Sequence, residues 1–141
     1  MKIVLDTNII VSGLISKLSP PAQLLQAWSD AHFTLVTSRL QITELFRVLD
    51  YDRIRPLINI EQKKRLQKNL DTEAMICDIH SNIDLSSDPD DNVILATAVS
   101  GGADLIVSGD KQHLIALNEV EGIPIVTAHA ALQYLKRLEL R

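Results

Sequence analysis

Asp88, Asp90 and Asp91 fall within four residues, in SSDPDDNVILATAVSGGADLIVSGD, the stretch from Ser86 to Asp110. Three carboxylates so close repel one another unless water or a cation separates them. Part of the cluster has a plain structural use. Asp88 can cap a helix, Pro89 suits the first helical position, and acids in the first turn complement the helix dipole. That scheme needs only one or two of the three. Asp91 is therefore the first candidate ligand and Asp88 the second, with Asp90 solvated. Three further acids stand at comparable places. Asp6 follows the apolar run Lys2 to Leu5, with Asn8 two residues on. Asp110 follows Leu105 to Val107, with Ser108 two residues before it. Glu44 sits beside the apolar stripe of Ile42, Leu45, Phe46 and Leu49. Singly, Asp6 and Asp110 read as helix caps and Glu44 as a solvated acid. Together, Asp6, Glu44, Asp91 and Asp110 form an oxygen-only set that suits Mg²⁺ or Mn²⁺. Two such ions about 4 Å apart can activate water and stabilise a leaving oxygen in phosphodiester hydrolysis.

The elements that would bring these acids together are legible in outline. Strand patterns cover Lys2 to Leu5, Phe33 to Val36, Ala74 to Ile79, Leu105 to Val107 and Ile125-Val126. Helical patterns cover Thr7 to Ser16, Ala22 to Asp30, Leu40 to Leu49, Glu61 to Leu70, the Val93 to Val99 run, Gln112 to Leu117 and Ala128 to Leu138. Pro20-Pro21 starts the second helix, Thr37 or Ser38 caps the third, and Gly101-Gly102 stops the fifth. Strands alternate with helices, which predicts an α/β fold: a parallel sheet covered on both faces. In such a sheet the acids that end strands and those that start helices share one edge, where open α/β folds build their sites.

Composition narrows the choices. The 141 residues suit one domain, residues 1–141, and 46% are hydrophobic, so disorder is disfavoured. Only 4% are aromatic, so stacking platforms for single-stranded bases are scarce. A net charge of −4 disfavours a sequence-blind nucleic-acid binder but not a metal nuclease, whose cations invert the local charge. The lone Cys77 reads as a core thiol in a reducing compartment. His32, His80, His113 and His129 lack metal-site spacing and read as surface or cap residues. No run approaches the roughly 20 apolar residues of a membrane span, and no signal peptide is evident, so a cytoplasmic protein is expected. Arg53, Arg55, Lys63, Lys64, Arg65 and Lys68 lie in one polar segment. The plain reading is a solvated face; the functional one is a surface that meets phosphate or a partner.

The acidic motifs, taken in order, resemble the PIN-domain family, and within it the bacterial toxin components of toxin–antitoxin pairs. Ile3-Val4-Leu5-Asp6-Thr7-Asn8 matches the family's strand-D-T-N start, and Thr43-Glu44-Leu45 its second acid. Asp91-Asn-Val-Ile-Leu-Ala-Thr-Ala98 matches its D-x-x-I-x-A-x-A segment. Leu105-Ile-Val-Ser-Gly-Asp110 matches the strand ending that carries the fourth acid. The resemblance implies a three-layer α/β/α sandwich and a Mg²⁺- or Mn²⁺-dependent endoribonuclease acting on RNA. Asp6, Glu44, Asp91 and Asp110 would bind metal, Asn8 and Ser108 would support them, and Asp88 would be an auxiliary acid. It also implies a cognate antitoxin protein as partner and allows a homodimer. Two rivals stand beside it. A haloacid-dehalogenase-type phosphotransfer enzyme also begins with a strand and an Asp, but wants a second Asp where Asn8 stands. A PIN-like scaffold would bind RNA or protein without cutting.

Overall fold

A computed structural model describes residues 1–110 and 112–139. Six strands form one sheet: β1 (Lys2–Leu5), β2 (Thr34–Ser38), β3 (Ala74–Cys77), β4 (Leu105–Val107), β5 (Glu119–Val120) and β6 (Ile123–Val126). Their spatial order is β3-β2-β1-β4-β6-β5. All neighbours run parallel except β5 and β6, which are antiparallel. The sheet is thus mostly parallel, as expected, with one unforeseen antiparallel edge strand. Seven helices flank it: α1 (Thr7–Ile15), α2 (Pro20–Ser29), α3 (Arg39–Leu49), α4 (Ile60–Glu73), α5 (Pro89–Gly101), α6 (Leu114–Leu117) and α7 (Ala128–Glu139). A 3₁₀ turn, Arg55–Leu57, precedes α4.

Side-chain alternation along the strands makes three layers. Ile3, Leu5, Leu35, Leu105 and Val107 face one side and pack with residues of α1, α2, α3, α4 and α7. Val4, Val36 and Ile106 face the other and pack with Ile94, Leu95 and Ala98 of α5 and Leu114 of α6. Because both faces are buried, the strands read as continuous apolar runs. Gly101 lets α5 lie close to β2: a Cβ there would stand 2.5 Å from Val36 Cγ1. Gly102, at φ +65, then ends the helix in the left-handed conformation that glycine adopts freely. The order of strands reverses direction between β1 and β4. A crevice outside the carboxyl ends of these two strands is where such sheets accept ligands.

Candidate metal centre

Register places the first two acids. Leu5 of β1 pairs with Val107 of β4, so Asp6 and Ser108 leave the sheet side by side. Ser108 Oγ donates to Asp6 Oδ2 at 3.0 Å, and the Asp110 amide donates to Ser108 Oγ at 3.0 Å. Asp6 stands at the N-cap of α1 but its carboxylate makes no capping bond there. The Thr7 and Asn8 amides still lie close enough to stabilise its charge. Asp110 does act as a local cap: one of its oxygens accepts from the Gln112 and His113 amides, and the other lies 3.1 Å from His113 Nδ1.

Glu44 is delivered by α3. Ser38 caps that helix by accepting from the Gln41 amide. The buried Gln41 side chain then ties α3 to the sheet. Its Nε2 donates to the Leu5 carbonyl at 2.6 Å, and its Oε1 accepts from Thr37 Oγ1 at 2.9 Å. Glu44, three residues later, lies one turn along the helix. Thr7 Oγ1 donates to it at 3.4 Å, whereas Asn8 is exposed. Thr7 thus supports Glu44, and the Asn8 amide lies near Asp6.

α5 delivers Asp91. Asp88 is the N-cap, accepting from the Asp90 amide at 2.9 Å, and Pro89 follows at the first position. Asp91, in the first turn of the helix, is only 6% exposed. Ser86 Oγ donates to its Oδ2 at 3.2 Å. Asn92 holds that loop in turn, accepting from the Leu85 and Ser86 amides and donating to the Ser86 carbonyl. Ser38 Oγ and Thr97 Oγ1 share a bond of 2.8 Å that fixes the start of α3 against α5.

The acids form one electrostatic unit. Burial raises the pKa of Asp6, with repulsion from Asp110 added; the Ser108 hydroxyl and the nearby Thr7 and Asn8 amides offset part of this. Burial pushes Asp91 up to about 6, helped by Asp88, Asp6 and Asp110. Burial pushes Glu44 up to about 7, helped by Asp90 and Asp6, while Thr7 and Arg47 pull it back. Asp110 differs. Burial acts to raise it, but the His113 amide and ring and the Gln112 amide outweigh that and hold it below the usual range. One oxygen each of Asp91 and Asp110 and a ring nitrogen of His113 lie within 4.8 Å of one another. Buried, mutually repelling carboxylates are the donor chemistry of a hard divalent cation such as Mg²⁺ or Mn²⁺.

These raised values have a consequence for pH. Between the ordinary value and the folded one, the folded chain binds more protons than the unfolded chain. For Asp91 that window runs from 3.8 to about 6, and for Glu44 from 4.5 to about 7. Stability of the metal-free protein therefore falls as pH rises through these windows and levels off above them. Tm is expected to be about 2–5 °C higher at pH 5.5 than at pH 8, and Glu44→Gln flattens the slope. Differential scanning fluorimetry across pH checks this. A metal-free Tm that rises towards pH 8 would contradict the raised values.

The family model described as PIN domain matches residues 2–112, most of the chain. The chain belongs to the PIN-domain family. Its strand-and-Asp start is thus of the PIN type and not of the haloacid-dehalogenase type. This PIN-domain protein is 25% identical over 130 residues to uncharacterized protein MJ1680 of Methanocaldococcus jannaschii, covering 92% of this chain and 83% of that one. It shares its fold with a chain of VapBC2 from Rickettsia felis, a complex bound to a DNA fragment from their promoter. There the TM-score is 0.59 and identity 15%, over 90% of this chain and 98% of the other. FitAcB from Neisseria gonorrhoeae gives a TM-score of 0.51 and 18% identity over the same shares.

The structure brings Asp6, Glu44, Asp91, Asp110 and Ser108 to one sheet edge, with Asp88 at its rim. It adds Thr7, His113, Ser86 and Arg47, none singled out by sequence. None of Arg53, Arg55, Lys64, Arg65 and Lys68 ranks among the main influences on the four acids. Arg55 is used locally, donating to the Asp50 carbonyl at 2.7 Å.

Proposed function

We propose that this PIN-domain protein is a Mg²⁺- or Mn²⁺-dependent endoribonuclease and the toxin of a toxin–antitoxin pair. One observation carries the reading. Four elements of the fold each hand one carboxylate to a single edge, where burial and mutual repulsion raise the pKa values of Asp6, Glu44 and Asp91 while His113 and the Gln112 amide hold that of Asp110 down. Such a cluster is costly alone and is relieved by a divalent cation. Asp6, Asp91 and Asp110 would hold the ion, with Ser108 fixing Asp6 and His113 fixing Asp110. When bound, the ion supplies positive charge for phosphodiester oxygens and makes water more acidic. Glu44, oriented by Thr7, would take a proton from an attacking water through its carboxylate. Thr7 holds one oxygen of Glu44 and leaves the other for this task.

The test is a calorimetric titration with Mn²⁺ followed by digestion of a complex pool of single-stranded RNA with sequencing of the ends. A broad pool is needed because a nuclease of narrow specificity leaves most oligonucleotides intact. Mn²⁺ binding with new RNA ends supports the reading. Mn²⁺ binding with an intact pool favours a scaffold that binds without cutting.

The VapBC2 and FitAcB neighbours support a protein partner. So does a groove of about 430 Å³ between α1, α2 and α4. Leu14, Leu25, Trp28 and Leu66 make its apolar lining, and Lys17 and Arg65 its charged one; no acid lines it among the described residues. That chemistry suits an amphipathic acidic segment of an antitoxin. Reversing charge at Lys17 and Arg65 together is expected to weaken the complex about 10-fold at low salt and less at high salt. Affinity unchanged at both salts would remove this surface from the interface. No helix among the described residues is long and apolar enough to cross a membrane.

A further inference from the structure

α3 sets Arg47 beside the acids. Arg47 follows Glu44 by three residues, so both side chains share a helical face. Its Nη2 lies 3.6 Å from Asp90 Oδ2, across the gap to the first turn of α5. Both groups act on Glu44, Asp90 raising its pKa and Arg47 lowering it. Arg47 therefore stands where α3 and α5 open towards solvent, at the rim of the carboxylate cluster. A cation in the last turn of α3 complements the helix dipole, but that role does not require Asp90 as a partner.

The pair has the character of a resting contact. Its side chains are 59% and 50% exposed and its separation exceeds hydrogen-bond length. A half-exposed pair of this kind contributes about 0–1 kcal/mol, so another anion can displace Asp90 at small cost. A guanidinium fork binds phosphate oxygens two at a time and better than it binds a distant single carboxylate oxygen. An RNA strand approaching four acids also needs a cation at the rim. His113 is engaged with Asp110, and Arg47 is the cation that the contact with Asp90 fixes at that rim.

We propose that Arg47 positions the substrate: its guanidinium leaves Asp90 and takes a phosphodiester oxygen next to the one that is cut. The assignment rests on the endoribonuclease reading for its substrate class. Arg47 is a positioning residue, and Asp90 is its competitor for the phosphate. The two substitutions must therefore act with opposite sign, which a merely structural pair would not do.

The experiment measures binding of a fluorescent single-stranded RNA by anisotropy, across salt, in protein carrying Asp6→Asn so that nothing is cut. Adding Arg47→Ala should weaken binding about 10-fold and make the salt dependence shallower by about 0.7 in slope, one phosphate's worth. Arg47→Lys should fall between, and Asp90→Asn should tighten binding about 3-fold by freeing the guanidinium. In protein with Asp6 intact, Arg47→Ala should raise KM more than it lowers kcat and leave Mn²⁺ affinity unchanged. The proposal is overturned if Arg47→Ala leaves affinity and slope unchanged, if Asp90→Asn weakens binding as Arg47→Ala does, or if the parent binds no RNA. If the binding pattern holds while Asp6-intact protein cuts no RNA, Arg47 keeps its role and the nuclease reading fails alone.

Discussion

Asp91→Asn is expected to give a folded protein that binds Mn²⁺ at least about 100-fold more weakly and cuts RNA about 10³-fold more slowly. The reason is positional. Asp91 is buried in the first turns of α5, faces Asp6 and Asp110, and has one oxygen fixed by Ser86. An amide there keeps an oxygen for the Ser86 hydroxyl but removes the charge that would attract a cation. Loss of about 4 kcal/mol of charge stabilisation corresponds to that rate effect. The same substitution should stabilise the metal-free protein. At pH 8 the wild-type carboxylate is ionised while burial and three neighbouring acids oppose that charge. Removing it should raise Tm by about 2–5 °C. Activity and stability thus move in opposite directions, which separates a functional acid from a structural cap. Calorimetry with Mn²⁺, an RNA cleavage assay and a melting curve on one preparation decide the matter. A variant with full cleavage would strip Asp91 of its role, and a large drop in Tm would make it a structural residue.

The fold was legible where local chemistry and periodicity agree. Lys2 to Leu5 is a short apolar run, and it is β1. Asp88-Pro89 and Gly102 are start and stop signals, and they bound α5. Ser19-Pro20 marks the start of α2 in the same way, with Ser19 accepting from the Ala22 amide. Asp6, Asp91 and Asp110 were legible for a related reason: in a parallel sheet, an acid just after a strand and one in the first turn of a helix share an edge, whereas Glu44 lies beyond the first turn of α3 and reaches that edge by side-chain direction. β5 was not legible because two residues, Glu119 and Val120, show no alternation; only pairing with Ile123 and Pro124 defines them. Thr7, His113 and Arg47 were not legible either. Their roles depend on side-chain direction across α1 and α3, within the Asp110 turn, and across α3 and α5. Spacing along the chain does not carry that information. The basic segment was legible as a cluster of charge, and Arg65 of α4 lines the groove beside α1 and α2, but spacing alone does not say whether phosphate or a protein meets it.

Gln41→Ala should unsettle both fold and site, since Gln41 is where the two meet. It is 1% exposed, and both ends of its amide are used, on the Leu5 carbonyl and on the buried Thr37 hydroxyl. Truncation removes both bonds and opens a cavity between α3 and the ends of β1 and β2. The expected cost is about 2–4 kcal/mol, or a fall in Tm of about 10 °C. Glu44 lies one turn beyond and Asp6 directly follows Leu5, so the same loss loosens the spacing of two acids. Mn²⁺ affinity should drop about 10-fold, the scale seen when residues that orient ligands are removed. Gln41→Met separates the two contributions. It restores most of the volume but neither hydrogen bond, so it should recover part of the Tm and little of the Mn²⁺ affinity. Recovery of both by Met would mean that packing alone sets the position of α3. Recovery of Tm without affinity would mean that the Leu5 carbonyl and Thr37 hydroxyl, acting through one buried amide, hold Glu44 in register with Asp6.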